Sequence, residues 1–313
     1  MKIALAGTGS KLPSKILTND DLSKIVDTSD EWISQRTGIK QRHIVEEGEN
    51  LVSLAFEAGK EALKSANVEG KDLGLIIVGT STQDKRLPNT ACELQPLLGA
   101  SDCACMDVSS ACSGFVYALS IAYSMMNTLD IDYALVVGGD VLSREMDWTD
   151  RTTCVLFGDG VGAAVLKKSD NEAGFLSFDI GADGSKGFAL YDNSYGDDRY
   201  IRMDGQEVFK FTIRTVPHSI EKAVKRAGVH KDDIDVFLLH QANLRILEAV
   251  SKKLDIALEK LPHNLERTGN TSAGSIPLLL DEVVKKGIAK KGDLILLCGF
   301  GAGLTWGTCV LRL

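Results

Sequence analysis

The chain repeats itself at a constant spacing, and this duplication limits the possible folds more than any single motif does. The segments 60–79 and 221–240 show the same succession of patterns: an amphipathic helix, a polar turn and a short apolar strand. The segments 132–138 and 293–299 also match, and the same offset of 161 residues relates them. Two units that recur at one spacing in a chain of 313 residues indicate a duplicated half.

The apolar strand patterns indicate an α/β fold in each half. Runs such as 75–78 and 236–239 are continuously apolar, which suits strands of a sheet that is covered on both faces. Because helical patterns alternate with these runs, we expect largely parallel sheets. The repeat predicts that 75–78 lies beside 134–137 in one sheet, and that 236–239 lies beside 294–297 in the other.

A polar stretch at 169–174 marks the expected boundary between the halves, because it follows the apolar strand pattern at 163–166. We therefore predict an N-terminal half at 1–170 and a C-terminal half at 171–313. Two halves that share one interface are favoured over two independent domains.

Charge and composition exclude several classes of protein. The net charge of −8 argues against a general nucleic-acid-binding protein. No apolar run approaches the ~18–20 residues that span a bilayer, so no membrane association is expected. The opening sequence is typical of a first strand rather than a signal peptide. The seven cysteines form an odd set, which favours reduced thiols and a cytoplasmic location.

Cys103 and Cys105 do not predict a metal site. Two cysteines that are separated by one residue, without a second Cys or His pair at a suitable spacing, are a weak zinc signal. We expect two strand residues whose side chains point to opposite faces, and we predict no bound metal.

Cys112 is the strongest candidate for a reactive residue. It lies in the segment SSACSG at 109–114, between small residues and an apolar helix pattern. A thiol at a helix start faces unpaired N–H groups and the positive end of the helix dipole, and both favour the thiolate. The position therefore predicts a nucleophilic cysteine, with a buried structural cysteine as the alternative.

The repeat places two further polar residues near Cys112. At the offset of 161, His240 corresponds to Gly79, at the carboxyl end of a strand. Cys112 corresponds to Ala273, which lies close to Asn270 in the sequence. Because ligands of α/β sheets gather beyond the carboxyl ends of the strands, we expect Cys112, His240 and Asn270 to meet in one crevice between the halves.

Three segments together resemble the active-site motifs of β-ketoacyl-acyl carrier protein synthase III. They are SSACSG around Cys112, LHQAN around His240 and GNTSA around Asn270. The resemblance extends along nearly the whole chain, including DEWISQRTGI at 30–39 and GFGAGLTWG at 299–307. It implies a thiolase-like α/β fold, in which two duplicated halves form a layered αβαβα structure. It also implies an acyltransferase that initiates type II fatty acid synthesis.

The resemblance implies a two-stage reaction at these residues. The Cys112 thiolate would take the acyl group from an acyl-CoA primer, while the backbone N–H groups of Cys112 and Ala302 bind the oxyanion. Malonyl-acyl carrier protein would then lose CO₂, and His240 and Asn270 would donate hydrogen bonds to the thioester oxygen of the enolate. This role requires a neutral His240 with its proton on Nε2. No cofactor is implied, since acyl-CoA is a substrate.

The resemblance also implies three binding regions and a homodimer. The residues that match a CoA tunnel are Thr28, Trp32, Arg36, Arg151, Gly205, Phe209 and Asn243. Within this set, an adenine ring could lie between the aromatic face of Trp32 and the guanidinium of Arg36. Those that match the acyl pocket are Leu142, Phe157 and, as a gate to the pocket of the partner subunit, Leu87. Because a basic patch attracts an acidic carrier protein, docking is predicted at Lys210, Arg214, Gln241, Ala242, Asn243, Leu244, Arg245, Lys252 and Lys253.

Several alternatives use similar residues. A papain-like hydrolase has a Cys-His-Asn set, but it does not explain the repeat. A biosynthetic thiolase needs a second cysteine at position 299, and Cys298 is one residue away, so on a strand its side chain points to the opposite face. Two alternative functions stay open. One is a related condensing enzyme of a specialised polyketide or lipid pathway, and the other is a non-catalytic acyl-binding partner subunit.

Overall fold

The computed structural model of the protein describes residues 2–170, 173–193 and 199–313. Its strands are β1 (Lys2–Lys11), β2 (Lys15–Thr18), β3 (Gln41–Ile44), β4 (Leu75–Gly79), β5 (Ala104–Val108), β6 (Tyr133–Asp140), β7 (Gly160–Ser169), β8 (Gly174–Ala182), β9 (Leu190–Asp192), β10 (Ile201–Met203), β11 (Val236–Leu239), β12 (Leu294–Gly301) and β13 (Thr305–Arg312). Its helices are α1 (Asn19–Leu22), α2 (Asp30–Thr37), α3 (Leu51–Ala66), α4 (Thr90–Leu97), α5 (Gly114–Thr128), α6 (Gly205–Ala227), α7 (Leu244–Leu254), α8 (Leu265–Thr268) and α9 (Ser275–Lys285). Within these ranges, no helix has the length and apolar character that a bilayer crossing needs.

Two sheets form the frame of the fold. The first has the strand order β1-β7-β6-β4-β5, and β4 runs parallel to β6 with Leu75 opposite Ala134. The second has the order β11-β12-β13-β8, and β11 runs parallel to β12 with Val236 opposite Ile295. The strand neighbours that the repeat predicts are therefore confirmed. Two short pairs, β2 with β3 and β9 with β10, lie outside these sheets.

Both sheets are mixed, which corrects the expectation of largely parallel sheets. β7 runs antiparallel to β1 and β6, and β13 runs antiparallel to β12 and β8. For β13, the connection explains the difference. Only residues 302–304 join β12 to β13, and this is too short for the crossover that a parallel pair requires.

The helices arrange the sheets into five layers. α5 and α9 lie between the sheets, where Phe115 and Leu119 join Leu279 and Val283 in one apolar core with the inner sheet faces. α3 covers the outer face of the first sheet, and α6 and α7 cover the outer face of the second. The αβαβα layering expected from the sequence is confirmed.

Buried polar contacts tie α9 to the opposite half. The Asp281 carboxylate is 1% exposed, and it accepts hydrogen bonds from Thr8 at 2.9 Å and Ser10 at 2.5 Å. Lys285 bridges this carboxylate to Glu61 of α3, with a distance of 2.7 Å to each. Because a buried carboxylate is costly without such partners, the contacts help to hold the central helix in place.

The division into 1–170 and 171–313 stays a prediction. Residues 171–172 lie outside the described part of the chain, between β7 and β8. Leu17 and Ile33 of the N-terminal half pack in the apolar core on the outer face of the second sheet. The halves therefore share a core as well as an interface.

The duplication extends to the 3₁₀ turns that precede the two central helices, Ala111–Ser113 before α5 and Ser272–Gly274 before α9. Each turn begins in the left-handed region: Ala111 has a φ of 43° and Ser272 has a φ of 49°. This conformation costs on the order of 1–2 kcal/mol for a residue other than glycine. The two halves therefore present the start of a central helix in the same way.

The expectation that Cys103 and Cys105 point to opposite faces is wrong. Their Sγ atoms lie 3.8 Å apart. Residues two positions apart on a strand project to the same face, and this rule places both thiols together at the start of β5. Both are free cysteines in this structure.

Candidate active site

Cys112 lies in the turn before α5, between the two sheets. The residue is 5% exposed. Gly301, at the end of β12, packs directly against it: a Cβ built there would lie 2.8 Å from Cys112 Cβ and 3.0 Å from Cys112 Sγ. Because real Cβ atoms do not approach so closely without displacing their neighbours, this contact requires glycine at position 301.

Burial dominates the ionisation of this thiol. Desolvation raises the pKa of Cys112 to about 12, while a hydrogen bond from Ser272 acts in the opposite direction. Desolvation therefore opposes the stabilisation of the thiolate that is expected at a helix start. Near neutral pH the side chain is a thiol.

His240 is a buried, uncharged imidazole at the carboxyl end of β11. It is 2% exposed, and its backbone N–H donates to the Cys298 carbonyl at 2.8 Å. Burial lowers the pKa of His240 to about 3, so the ring is neutral throughout the physiological range. A neutral ring is what the mechanism implied by the sequence requires.

Asn270 is held in the loop between α8 and the turn before α9. Its N–H donates to the Leu156 carbonyl and its carbonyl accepts from the Gly158 N–H, both at 2.9 Å. Its side-chain Oδ1 accepts from the Ser272 N–H at 2.9 Å. This contact orients the carboxamide, and its NH₂ group is left as a donor.

The three candidate catalytic side chains line one cavity. Its volume is about 500 Å³, and Cys112, His240 and Asn270 are among its lining residues. Phe300 lines it as well and packs edge-on against His240, with ring centroids 5.1 Å apart. The structure therefore brings together residues from both halves, as the repeat predicts.

A second cavity, of about 380 Å³, also reaches Cys112. Leu142, Phe157 and Ala302 line it, so Cys112 lies where the two cavities meet. Leu142 and Phe157 therefore line a cavity that reaches Cys112, and their role in an acyl pocket stays a prediction. Leu87 lines neither cavity and is 87% exposed, so its role as a gate to a partner subunit stays a prediction.

Four of the predicted CoA-tunnel residues line the larger cavity: Arg36, Gly205, Phe209 and Asn243. Phe209 is 40% exposed, which is a large apolar surface for a cavity rim. Asn243 also caps α7 by accepting from the Arg245 N–H at 2.9 Å. These residues form a passage between the three candidate catalytic side chains and the surface.

The other predicted CoA residues lie around Trp32. The guanidinium carbon of Arg36 is 4.4 Å from the Trp32 ring centroid, and that of Arg151 is 5.4 Å away. The Thr28 hydroxyl oxygen is buried and has no hydrogen-bond partner among the described residues. An aromatic ring with two cations close to it, and a buried hydroxyl four positions before it, suits a polar heteroaromatic ligand.

Eight of the nine predicted docking residues are exposed or half-buried, and one is an exception. Exposed members are Lys210, Arg214, Arg245, Lys252 and Lys253, while Ala242, Asn243 and Leu244 are half-buried.

Gln241 is the exception, and its position corrects that part of the prediction. It is fully buried. Its side-chain NH₂ donates to the Leu239 carbonyl at 2.8 Å, and its Oε1 accepts from the Asn264 N–H at 3.1 Å. Since both ends of the amide are used inside the protein, Gln241 is not available to a docking partner.

Cys298, which is one residue away from the position where a thiolase has its second cysteine, faces the core. It is fully buried, and its Sγ accepts a hydrogen bond from Thr308 Oγ1 at 3.2 Å. Position 299 is the one that faces the turn: a Cβ at Gly299 would lie 2.9 Å from the Cys112 carbonyl oxygen. A second cysteine therefore has no room beside Cys112.

Sequence reasoning missed two residues that contact His240. Ser275 Oγ lies 2.6 Å from His240 Nδ1, and Phe300 packs against the ring. The repeat contained a signal for Ser275. At the offset of 161 residues, His240 corresponds to Gly79 and Ser275 corresponds to Gly114. Phe300 had no comparable signal.

The buried imidazole predicts that stability falls in acid. The pKa of His240 is about 3 in the folded protein, whereas a histidine in an unfolded chain titrates at about 6.5. The unfolded chain therefore binds one more proton between these values. We expect the free energy of unfolding to fall on this account by roughly 1 kcal/mol per pH unit as the pH drops from about 6.5 towards 3.

Urea denaturation of the native chain and the His240→Asn variant at pH 5, 6 and 7 measures this contribution. The variant is expected to lose stability less steeply in acid, because it lacks the buried base. The difference between the two slopes separates His240 from the carboxylates, which both proteins share. Identical slopes would contradict the prediction.

Family models match two parts of the chain. A model described as 3-Oxoacyl-[acyl-carrier-protein (ACP)] synthase III matches residues 106–184. A model described as the C-terminal part of the same synthase matches residues 224–313. The first range includes Cys112, and the second includes His240 and Asn270.

Similar proteins match over nearly the whole length. The beta-ketoacyl-[acyl-carrier-protein] synthase III of Xanthomonas euvesicatoria pv. vesicatoria (strain 85-10) is 48% identical, over 98% of this chain and 97% of that protein. The protein of the same name from Oceanobacillus iheyensis is 46% identical, over 100% of this chain and 99% of that protein. The crystal structure of 3-oxoacyl-[acyl-carrier-protein] synthase III from Aquifex aeolicus VF5 has a TM-score of 0.96 at 46% identity, covering 99% of this chain and 100% of the other. The chain belongs to the 3-oxoacyl-[acyl-carrier-protein] synthase III family.

Proposed function

We propose that the protein catalyses the decarboxylative condensation of a short acyl-CoA primer with malonyl-acyl carrier protein. The product would be 3-oxoacyl-acyl carrier protein, the starting point of fatty acid biosynthesis. As a member of its family the protein is a condensing enzyme of the acyltransferase type. The observation that carries the proposal is the convergence of Cys112, His240 and Asn270 on one cavity, beside a second cavity that also reaches Cys112.

In the first stage, the Cys112 sulfur attacks the thioester carbonyl carbon of the acyl-CoA. A new carbon–sulfur bond forms, and the bond between the acyl carbon and the CoA sulfur breaks. The proton lost by Cys112 balances the proton gained by the departing CoA thiol. Burial raises the pKa of Cys112 to about 12, so ionisation is coupled to the arrival of the thioester rather than completed before it. The acyl chain would lie in the cavity lined by Leu142 and Phe157.

The repeat supports an oxyanion-binding role for the Cys112 N–H. In the C-terminal turn, the corresponding residue is Ala273, whose N–H donates to Asp140 at 3.2 Å. At the same offset of 161, Asp140 corresponds to Gly301, which has no side chain to accept a hydrogen bond. The Cys112 N–H is therefore left for a substrate oxygen, and Ala302, the next residue after Gly301, would supply the second donor.

In the second stage, malonyl-acyl carrier protein binds at the acylated enzyme. Loss of CO₂ leaves an enolate, and the His240 imidazole and the Asn270 carboxamide would stabilise its oxygen as hydrogen-bond donors. The enolate carbon then attacks the acyl carbon, and the Cys112 sulfur leaves as a thiolate that takes a proton from water. Both stages use only side chains and substrates, so no cofactor is proposed.

Trp32 is proposed to bind the adenine ring of CoA. Trp32→Ala would remove the aromatic ring that lies close to the guanidinium groups of Arg36 and Arg151. Base–aromatic stacking is worth about 1–3 kcal/mol, so we expect the Kd for acyl-CoA to rise by roughly 10-fold or more. An acyl-pantetheine, which lacks the adenine nucleotide, is the matched control and should react equally well with both proteins. Equal weakening of both substrates would contradict this placement.

The basic group around α7 is proposed to dock the carrier protein. Lys252 and Lys253 are exposed at the end of α7, and Arg245 is exposed at its start. In a chain with a net charge of −8, such a local excess of positive charge would guide an acidic partner to the cavity mouth.

A homodimer and a cytoplasmic location are also proposed. β5 is an edge strand that pairs only with β4 among the described strands, so its outer edge can pair with a second copy. The exposed Leu87 favours a partner that covers it. All seven cysteines are free, which suits a reducing compartment. Light scattering of the purified protein measures the assembly state.

The proposed function is tested in two half-reactions. Incubation with acetyl-CoA or a longer acyl-CoA should add one acyl group to the peptide that contains Cys112, as measured by mass spectrometry. Addition of malonyl-acyl carrier protein should then release CO₂ and yield 3-oxoacyl-acyl carrier protein. If no acyl-CoA in a chain-length series labels Cys112, the proposal is wrong. Labelling without CO₂ release would instead support a non-catalytic acyl-binding subunit.

A further inference from the structure

Ser275 and His240 form a buried pair of side chains at the edge of the cavity. The Ser275 Oγ is 2.6 Å from His240 Nδ1. Ser275 is 1% exposed and His240 is 2% exposed. His240 lines the cavity of about 500 Å³ and Ser275 does not, so the imidazole is held from the protein side and faces the cavity.

The surroundings of the Ser275 hydroxyl determine the direction of this hydrogen bond. The backbone N–H of Gln241 approaches the Ser275 Oγ at 3.4 Å as a donor. A hydroxyl that accepts from an N–H still has its own hydrogen to donate. Among the side-chain contacts of the described residues, His240 Nδ1 is the acceptor for that hydrogen. If Nδ1 carried the proton instead, two N–H groups would point at one oxygen and the hydroxyl hydrogen would lose this acceptor.

The two copies of the repeat differ at this pair of positions in a correlated way. At the offset of 161, His240 corresponds to Gly79 and Ser275 corresponds to Gly114. In the N-terminal copy the two glycines pack backbone to backbone: a Cβ at Gly79 would lie 2.6 Å from the Gly114 carbonyl carbon. In the C-terminal copy the strand end carries an imidazole, and the helix start carries the hydroxyl that contacts it. Serine is therefore present where a histidine needs a partner and absent where none is needed.

We infer that Ser275 is a positioning residue: its hydroxyl donates to Nδ1 and holds the proton of His240 on Nε2, toward the substrate. With this tautomer the imidazole presents an N–H to the enolate oxygen. The other tautomer would present a lone pair, which repels that oxygen. The inference rests on the proposed function, because it concerns the stage in which His240 acts as a donor.

The tautomer can be measured without an activity assay. In protein labelled with ¹⁵N-histidine, long-range ¹H–¹⁵N correlation spectra distinguish a protonated from an unprotonated ring nitrogen, and the His240→Ala variant assigns the signal. We expect the proton on Nε2 in the native chain and in Ser275→Thr, and a mixture of tautomers in Ser275→Ala. A proton on Nδ1 in the native chain, or an unchanged spectrum in Ser275→Ala, would overturn the inference.

The two stages of the reaction give a second readout. Ser275→Ala should lower the rate of CO₂ release and condensation by about 10- to 100-fold, the size expected for losing one orienting hydrogen bond. Acylation of Cys112 by acyl-CoA should stay unchanged, and Ser275→Thr should restore most of the lost rate. Ser177→Ala is the matched control, since it removes a buried hydroxyl that donates to the Ala223 carbonyl at 2.7 Å in the second sheet.

The possible failures are distinguishable. Equal loss of acylation and condensation in Ser275→Ala, without rescue by threonine, would overturn the positioning role in favour of a structural one. If the native chain is acylated by no acyl-CoA and performs no condensation, the proposed function fails. The tautomer measurement still decides whether Ser275 holds the imidazole, because it does not depend on turnover.

Discussion

Replacing Cys112 by alanine is expected to abolish acyl transfer and condensation. Cys112 is the only cysteine among the residues that line the two described cavities, so alanine leaves no sulfur to carry the acyl group between the stages. Removal of a covalent nucleophile typically lowers turnover by about 10⁴-fold or more. The protein should still fold, since a buried thiol is replaced by a smaller apolar side chain at a single site.

The Cys112→Ser variant separates the chemistry from the shape of the site. Serine fills nearly the same volume, but an alcohol is far less acidic than a thiol even when burial raises the thiol pKa to about 12. We expect acylation by acyl-CoA to fall by at least about 100-fold. Peptide mass spectrometry after incubation with acyl-CoA measures the label on each variant.

Cys298→Ala is the matched control for this experiment. Cys298 is also a buried thiol, and burial raises its pKa to about 12 as well. It faces the core rather than the cavity, so its loss should leave the label on Cys112 unchanged. An acyl group found on Cys298, or equal loss of activity in both variants, would contradict the assignment and favour a thiolase-type site.

His240→Ala and Asn270→Ala are expected to separate the two stages. Each side chain would stabilise the enolate oxygen, so each variant should lose CO₂ release and condensation by about 10²- to 10³-fold. Acyl transfer to Cys112 should persist, because the proposed donors for its oxyanion are backbone N–H groups. The double variant should lose less than the product of the two effects, since both groups act on one oxygen.

Two assays on the same preparations measure this separation: the acyl label on Cys112, and CO₂ released from malonyl-acyl carrier protein. His263→Ala and Asn127→Ala are the controls, because both residues are exposed and line neither cavity. They should match the native chain in both assays. Equal loss of label and CO₂ release in His240→Ala or Asn270→Ala would refute the division of roles.

The repeat predicted the main features of the fold because its spacing is a property of the chain itself. An offset of 161 residues identified the strand neighbours in both sheets and placed His240 at a strand end. It did not reveal the direction of β7 and β13. For β13 the direction depends on the short connection 302–304 to β12, and an apolar pattern does not carry that information. The same limit applies to Gln241, which is buried and accepts a hydrogen bond from Asn264, more than twenty positions along the chain.

Ionisation at the site could not be read from local sequence. The position of Cys112 before a helix predicts a lowered pKa, but Gly301 of the other half packs against the sulfur and removes its water. Burial likewise makes His240 a neutral base, and Ser275, 35 positions away, contacts its Nδ1. These are effects of atoms that only folding brings together.

The amino-acid sequence by itself determined that this chain is a doubled α/β protein with a cysteine, a histidine and an asparagine aimed at one crevice, because periodicity and spacing do not depend on solvent. Only the tertiary structure decided that the cysteine and the histidine are uncharged, and in which direction each hydrogen bond is donated. Those properties follow from desolvation and from contacts between distant segments, and neither exists until the two halves have packed.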